Sequence, residues 1–323
     1  MLKALAVVAG VLGLVGSASA QTWPARPITM VIPFAAGGPT DVLGRVMGER
    51  MSQILGHQVV IENVGGAGGG TGSQRVARAE PDGYSFVLGT VGTHAQNQTL
   101  YKKPLYNAAT DFQPVALIAE VPLILITRKH LPANTFEEFV AYAKANQAKM
   151  TYGSAGAGSA THLGCVLLDS AMGTKIQHVP YRGTGPAMTD LQAGRIDFLC
   201  EIVSTALPQI QGGAVKAIAT MTKARSPVLP DLPTIHEKGI PNFEGLTWNA
   251  FFLPKGTPEP IVKKLHDATV AAMETPAVKE RLQTLGAMLV TPERRSPEYL
   301  AQFVTSEVEK WAVPIKASGV SVE

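Results

Sequence analysis

The sequence predicts an α/β protein of two lobes with a cleft between them, and three observations carry that prediction. A short apolar strand, a loop of small residues and a helix start recur in that order at three places, and strand–helix alternation of this kind builds α/β folds. The 323 residues exceed the size at which one hydrophobic core usually stops growing. Late in the chain, Trp248-Asn249-Ala250-Phe251-Phe252-Leu253-Pro254 reads as a strand that returns to the first lobe. One lobe is then discontinuous, over 21–121 and 249–323, and 122–248 forms the other, with two connections between them.

The first twenty residues read as a removable leader. Lys3 gives a positive start, 4–15 is an apolar run, and Ala18-Ser19-Ala20 fits a cleavage site before Gln21. The run is shorter than the ~20 residues a membrane span needs, and no Cys follows it, which argues against a lipid anchor. The expected location is a bacterial periplasm. The later apolar stretch 115–127 is interrupted by Glu120 and Pro122 and is not a span. Lys and Arg number 28, Lys3 included, against 25 Asp and Glu. That balance argues against nucleic acid, which calls for clustered basic charge. Cys165 and Cys200 either pair as a disulfide or stay as two buried thiols. A bond would close a loop of ~35 residues and add ~3–4 kcal/mol in the chain-entropy model.

The first unit is Ile28-Thr29-Met30-Val31-Ile32-Pro33 followed by Phe34-Ala35-Ala36-Gly37-Gly38-Pro39-Thr40-Asp41. Val42, Leu43, Val46, Met47, Met51, Ile54 and Leu55 then recur at helical spacing, with Pro39 at the first helical position and Gly56 as the stop. A short strand at 59–61, a glycine run at 65–72 and a helix at 73–79 follow. Pro81-Asp82-Gly83 makes a turn. The second unit is Phe86-Val87-Leu88-Gly89-Thr90 followed by Val91-Gly92-Thr93-His94. A β-branched strand at 121–127 leaves the first lobe, and a helix at 135–146 starts with the Thr135 cap and acidic Glu137 and Glu138.

The third unit is Met150-Thr151-Tyr152-Gly153 followed by Ser154-Ala155-Gly156-Ala157-Gly158-Ser159-Ala160-Thr161-His162, with a helix to Ala171. A strand at 177–181 leads to Arg182-Gly183-Thr184-Gly185-Pro186, which opens another helix. Strands at 195–200, ending at Glu201, and at 216–220 precede a Pro-rich loop at 226–233. Helices at 258–273 and 296–310 complete the chain.

A helix start exposes N–H groups without partners and the positive end of the helix dipole, so each loop is a ready anion seat. Small residues let a ligand approach the backbone closely. Several such seats without a catalytic constellation point to a protein that holds a carboxylate. The first loop offers Phe34, Ala36, Gly37, Gly38, Thr40 and Asp41; the second, Thr90, Thr93 and His94; the third, Ser154, Ala155, Ala157, Ser159 and His162. Thr40 and Ser159 suit helix caps, and beside bare glycines they are read as ligand contacts as well. His94 and His162 are each either a donor to the carboxylate or a residue satisfied within its own helix start. His178, in an apolar strand, reads as core. Arg182 is either the one full positive charge near the ligand or a surface residue. Glu201 suits an amino group on the ligand, a water network, or a hydrogen bond that closes the lobes. The glycine run is either a mobile turn or a contact, and Trp248 either a hinge or a cleft wall.

Other chemistries lack their signatures. Gly156 and Gly158 are followed by Thr161 where a dinucleotide loop has its third glycine, and the 65–72 run lacks the Gly-Lys-Ser/Thr ending of a phosphate loop. There is no Gly-x-Ser-x-Gly elbow, and His236-Glu237 lacks the second histidine of a zinc protease helix. Neither cofactor nor metal is called for.

The motifs Val31-Ile32-Pro33-Phe34-Ala35-Ala36-Gly37-Gly38-Pro39-Thr40-Asp41, Gly65-Gly66-Ala67-Gly68-Gly69, Pro81-Asp82-Gly83-Tyr84, Gly89-Thr90-Val91-Gly92-Thr93-His94, Tyr152-Gly153-Ser154-Ala155-Gly156, His178-Val179-Pro180-Tyr181-Arg182-Gly183 and Leu229-Pro230-Asp231-Leu232-Pro233-Thr234 occur in order across the mature chain. With them the chain resembles the Bug-type periplasmic solute receptors, the TctC-like binding components of tripartite tricarboxylate transporters. The resemblance implies a two-lobed periplasmic-binding-protein (Venus flytrap) fold and capture of a small carboxylic acid by the first and third loops. It also implies a large and a small integral membrane subunit as partners; the receptor itself is expected to be a monomer. Ala157 stands where members often carry Asn, a hint toward a less polar acid, and Glu201 where many carry Asp. A sensor presenting the liganded protein to a signalling partner, and an enzyme acting on an organic acid, are the alternative readings.

Overall fold

The computed structural model describes residues 23–323; the expected leader and its cleavage site lie outside the described residues. The chain runs β1 (Ile28–Ile32), α1 (Pro39–Leu55), β2 (Val59–Asn63), α2 (Gly70–Ala77) and β3 (Ser85–Thr90), then a π-helical turn (Gly92–Gln96) and a short α3 (Asn97–Leu100). A long strand β4 (Phe112–Arg128) leads to α4 (Phe136–Asn146), β5 (Thr151–Ser154), α5 (Ala160–Met172), β6 (Gln177–Pro180), α6 (Thr184–Gln192), β7 (Phe198–Ile202), α7 (Val203–Gln211) and β8 (Val215–Thr220). The return strand β9 (Leu246–Pro254), α8 (Glu259–Glu274), α9 (Pro276–Thr284), β10 (Met288–Leu289) and α10 (Pro297–Ser318) close the chain.

The strands form one curled sheet in the order β2-β1-β3-β9-β4-β7-β5-β6, with β8 and β10 also paired to β4. β1 pairs in parallel with β2 and β3, as the unit pattern requires. β4 changes partner along its length. Its first part, from Phe112 to Pro122, lies antiparallel to β9, and Leu123 to Thr127 lie antiparallel to β7. One strand therefore carries the sheet from one lobe into the other. The sequence indicated only its second half, because Pro114, Glu120 and Pro122 break the apolar pattern. The structure places Pro114 at a slip of the β4–β9 register and Pro122 at the end of that pairing, just before β4 takes up β7, and at both places a missing N–H costs little. Glu120 turns outward to Arg294, with Oε1 to Nη2 at 2.6 Å.

Local signals decided most boundaries. α1 begins at Pro39 after Gly38 and ends at Gly56, whose φ of 72° is left-handed. Thr40, expected as the cap, lies inside the first turn instead, because Gly38 occupies the N-cap position and no side chain caps it. Thr135 makes a full capping box with Glu138, and Ser159 caps α5 by accepting from the His162 N–H. The helices α7 and α9, each nine residues, are additions to the sequence reading; α7 holds Pro208 in its interior, which masks a helical pattern. α10 runs beyond residue 310 to Ser318 although Pro314 lies within it.

The second lobe is cross-linked. Cys165 of α5 is bonded to Cys200 of β7, with Cα atoms 5.5 Å apart. Trp248 stands opposite Glu120, close to the point where β4 changes partner. It is fully buried on β9, and its indole N–H donates to Glu307 of α10 at 3.0 Å, an oxygen it shares with the Trp311 N–H at 3.1 Å. Among the described residues, no helix is long and apolar enough to cross a membrane.

Candidate functional site

Three helices start at one place. α1 and its preceding loop come from the first lobe; α5 and α6 come from the second. Around these starts lies a narrow cavity lined by Phe34, Gly38, Pro39, Thr40 and Thr90 on one side and Ala155, Ser159, Ala160, Thr161, Thr184 and Ile202 on the other, with Thr247 where β9 crosses. No lining residue carries a formal charge. The first ladder bond of α1 runs from the Val42 N–H to Gly38 O, and that of α5 from the Leu163 N–H to Ser159 O. The N–H groups of Thr40, Asp41, Ala160 and Thr161 therefore stand outside the helical ladders. Pointed into a shared space and reinforced by the helix dipoles, such groups hold an anion without a formal countercharge.

Backbone contact brings the two lobes together here. The Ala35 N–H donates to Arg182 O at 2.9 Å, and a Cβ on Gly183 would stand 2.8 Å from that same Ala35 nitrogen. At a second contact a Cβ on Gly68, whose φ is 58°, would stand 2.1 Å from Ala157 O, and the Tyr101 hydroxyl donates to that carbonyl at 2.8 Å. The glycine run thus packs against the opposite lobe rather than lining the cavity.

Several side chains singled out from the sequence serve as struts behind the loops. Asp41 Oδ2 accepts from the Gly37 N–H at 3.0 Å and from Arg45 at 2.9 Å, and its Oδ1 accepts from Asn63 at 2.9 Å. Burial pushes its carboxyl up, but these donors outweigh that and hold it below the usual range. Ser154 is hydrogen-bonded to His178 at 2.6 Å and accepts from the Gly156 N–H. His162 accepts from the Gly158 N–H at 3.2 Å and stacks on His178 with centroids 4.2 Å apart. His94 stacks on Phe252 with centroids 4.0 Å apart and touches Thr93 through Nδ1 at 2.8 Å. Burial pushes both His94 and His162 down to about 3, so both are neutral. Thr93 spends its hydroxyl on Thr90 and His94.

None of Asp41, Thr93, His94, Ser154, Ala157 and His162 lines the cavity. Arg182 takes the surface alternative: its side chain is exposed, while its carbonyl binds the opposite lobe. The cavity-lining residues that the sequence did not single out as ligand contacts are Pro39, Ala160, Thr161, Thr184, Ile202 and Thr247. Thr184 had a signal, since it follows Gly183 at a helix start; Thr247 had none, because only the strand crossing puts it there.

Ala36, Gly37 and Glu201 line a wider groove of about 880 Å³ that shares Thr184 with the cavity. Glu201 is fully buried at the end of β7. Its Oε1 accepts from the Ile202 N–H at 2.8 Å and the Thr205 hydroxyl at 3.0 Å. Its Oε2 and the Thr184 hydroxyl have no partner among the described residues. Burial pushes the Glu201 carboxyl up to about 7. Among the described residues no group of three or more His, Cys, Asp or Glu could hold a metal ion.

The family model described as the tripartite tricarboxylate transporter family receptor, TctC, matches residues 43–320. The chain belongs to this receptor family. The periplasmic binding protein BugD is 43% identical and superimposes with a TM-score of 0.90 over 93% of this chain and 100% of that one. MatC from Rhodopseudomonas palustris, solved with bound malate, is 40% identical with a TM-score of 0.88 over 91% of this chain and 100% of that one. A further R. palustris protein, solved with adipate, is 34% identical with a TM-score of 0.88 over 93% and 99%. The TctC-type receptor therefore has the two-lobed periplasmic-binding-protein fold, and the convergent helix starts lie in the cleft between its lobes.

Proposed function

We propose that this receptor works in the periplasm, after loss of its leader, and captures a small carboxylic acid between lobes 21–121 with 249–323 and 122–248. It hands that acid, as a monomer, to the two integral membrane subunits of a tripartite transporter. The observation that carries this reading is the convergence of helix starts from both lobes on one cavity lined by Thr and Ser hydroxyls and no charged side chain. Thr40, Thr90 and Thr184 are the side chains we assign to the ligand, with Phe34, Gly38 and Ala155 shaping the seat and Ser159, whose hydroxyl donates to Gly156 O at 2.7 Å, holding the third loop. A carboxylate there touches both lobes only when they are closed, so its binding energy drives closure. Malate in MatC and adipate in the second R. palustris protein favour a dicarboxylic acid here as well.

A thermal-shift screen of the chain from Gln21 onward against carboxylic acids and their amides tests this. Ligand at ~100 times Kd adds about 2.7 kcal/mol of stability. A shift with an acid and none with its amide supports the reading. No shift with any acid, before and after unfolding and refolding to strip a carried ligand, removes it. Intact recovery of the bound acid separates a receptor from an enzyme.

A further inference from the structure

Glu201 differs from the other polar groups around the helix starts. Those are hydroxyls and amides; Glu201 is a fully buried carboxyl. Its Oε1 is held by two donors, which fixes the orientation of the group, while Oε2 is left without a partner. The Thr184 hydroxyl lies beside it and favours its ionised form, and neither that hydroxyl nor Oε2 has any other partner among the described residues. Thr184 lines both the cavity and the groove, and Glu201 lines the groove. A ligand extending from the cavity therefore meets the Thr184 hydroxyl first and the Glu201 carboxyl next.

No charged neighbour acts on Glu201. The first loop contributes only Ala36 and Gly37 to the groove, and α7 contributes Ser204, Thr205, Pro208 and Gln209. The charged side chains there are Asp190 of α6 and Arg281 of α9. Asp190 is engaged by the Tyr181 hydroxyl and Arg195, both at 2.7 Å, and Arg281 is exposed. An ionised Glu201 facing a ligand carboxylate would place two like charges together in a buried site with no cation to offset them, and such pairs retain a proton. Shared between Oε2 and the ligand, that proton makes a short charge-assisted hydrogen bond.

We infer that Glu201 acts as a proton-bearing specificity residue: its Oε2–H donates to the far carboxylate of a dicarboxylate whose near carboxylate occupies the helix starts, so binding above neutral pH takes one proton from solvent. This deepens the carboxylate-receptor reading and rests on it. Burial already lifts Glu201 to about 7 in the unliganded chain, so the proton is available at modest cost near neutrality.

The test is calorimetric titration of the mature chain with malate and with adipate, or with whichever diacid of the screen binds. It runs from about pH 6.5 to 9, where free carboxylates near pKa ~4 are fully ionised, in buffers of different ionisation enthalpy. Uptake approaching one proton per ligand is expected above about pH 8, with Kd rising about tenfold per pH unit there. E201Q keeps a neutral donor at the same place; it should bind with a flat pH profile and no proton uptake. Binding without proton uptake in the native chain, binding that weakens as pH falls, or binding confined to monocarboxylates overturns the inference and leaves the receptor reading intact. Failure of every acid to bind at any pH overturns both.

Discussion

The first and second strand–loop–helix units begin alike and end differently. β1 runs through Phe34 to Gly38 into a helix of 17 residues whose first N–H groups open on the cavity. β3 runs through Val91 into a π-helical turn and a helix of only four residues. In the second unit the local donors are spent at home: Thr90 and Thr93 bond each other's backbone and hydroxyl groups, and His94 stacks inside an aromatic cluster with Phe252, Tyr106 and Phe112. Only Thr90 of that unit reaches the cavity. A loop of small residues is thus not enough for an anion seat. The helix behind it must be long enough to align its dipoles, and its first N–H groups must be left unclaimed. The third unit follows the first, with α5 held in place by the disulfide.

Four experiments would break or sharpen this contrast, beginning with the largest effect. Replacing Cys165 and Cys200 together by Ser frees α5 from β7 and removes a cross-link spanning 35 residues; chemical denaturation should show a loss of about 3–4 kcal/mol. A smaller loss means that packing alone seats the third unit, as it does the second. G183V comes next. Its side chain would meet Ala35 across the lobes, and overpacking of this kind costs ~1–3 kcal/mol. That cost falls on the closed form, so Kd for a bound acid should rise about 5- to 150-fold with Tm of the free protein little changed; an unchanged Kd would mean that the lobes do not meet there.

T40V and T184V should each weaken binding by about 1 kcal/mol, the net worth of one hydrogen bond, whereas changes in the second unit away from Thr90 should not. H94F supplies that control. It should leave Kd unchanged in calorimetry, and a clear loss of affinity would return His94 to the site. Its effect belongs to acid stability. His94 is pushed down to about 3 when folded against ~6.5 when unfolded. The unfolded chain therefore binds more protons between these values, and stability present above pH ~6.5 is lost as pH falls toward 3. The slope of unfolding free energy between about pH 6 and 4 should flatten in H94F by up to one proton, about 1.4 kcal/mol per pH unit.

What the sequence by itself determined was local: where strands give way to small-residue loops, that Pro39 and Gly56 bracket α1, and that Thr135 and Ser159 cap their helices. These are written within a few neighbouring residues, so pattern and capping chemistry reveal them. The motifs also sufficed to recognise the receptor family. Tertiary structure alone decided which polar side chains line the cavity. Asp41, His94, Ser154 and His162 carry the right chemistry in the right loops, yet Asp41, Ser154 and His162 accept from backbone N–H groups of their own loops and His94 bonds the Thr93 hydroxyl. Thr184 and Thr247, from two later segments, complete the wall. Whether a side chain faces the cleft or its own loop depends on which distant strand and helix pack behind it, and the crossing of β4 and β9 that sets this joins residues more than a hundred positions apart.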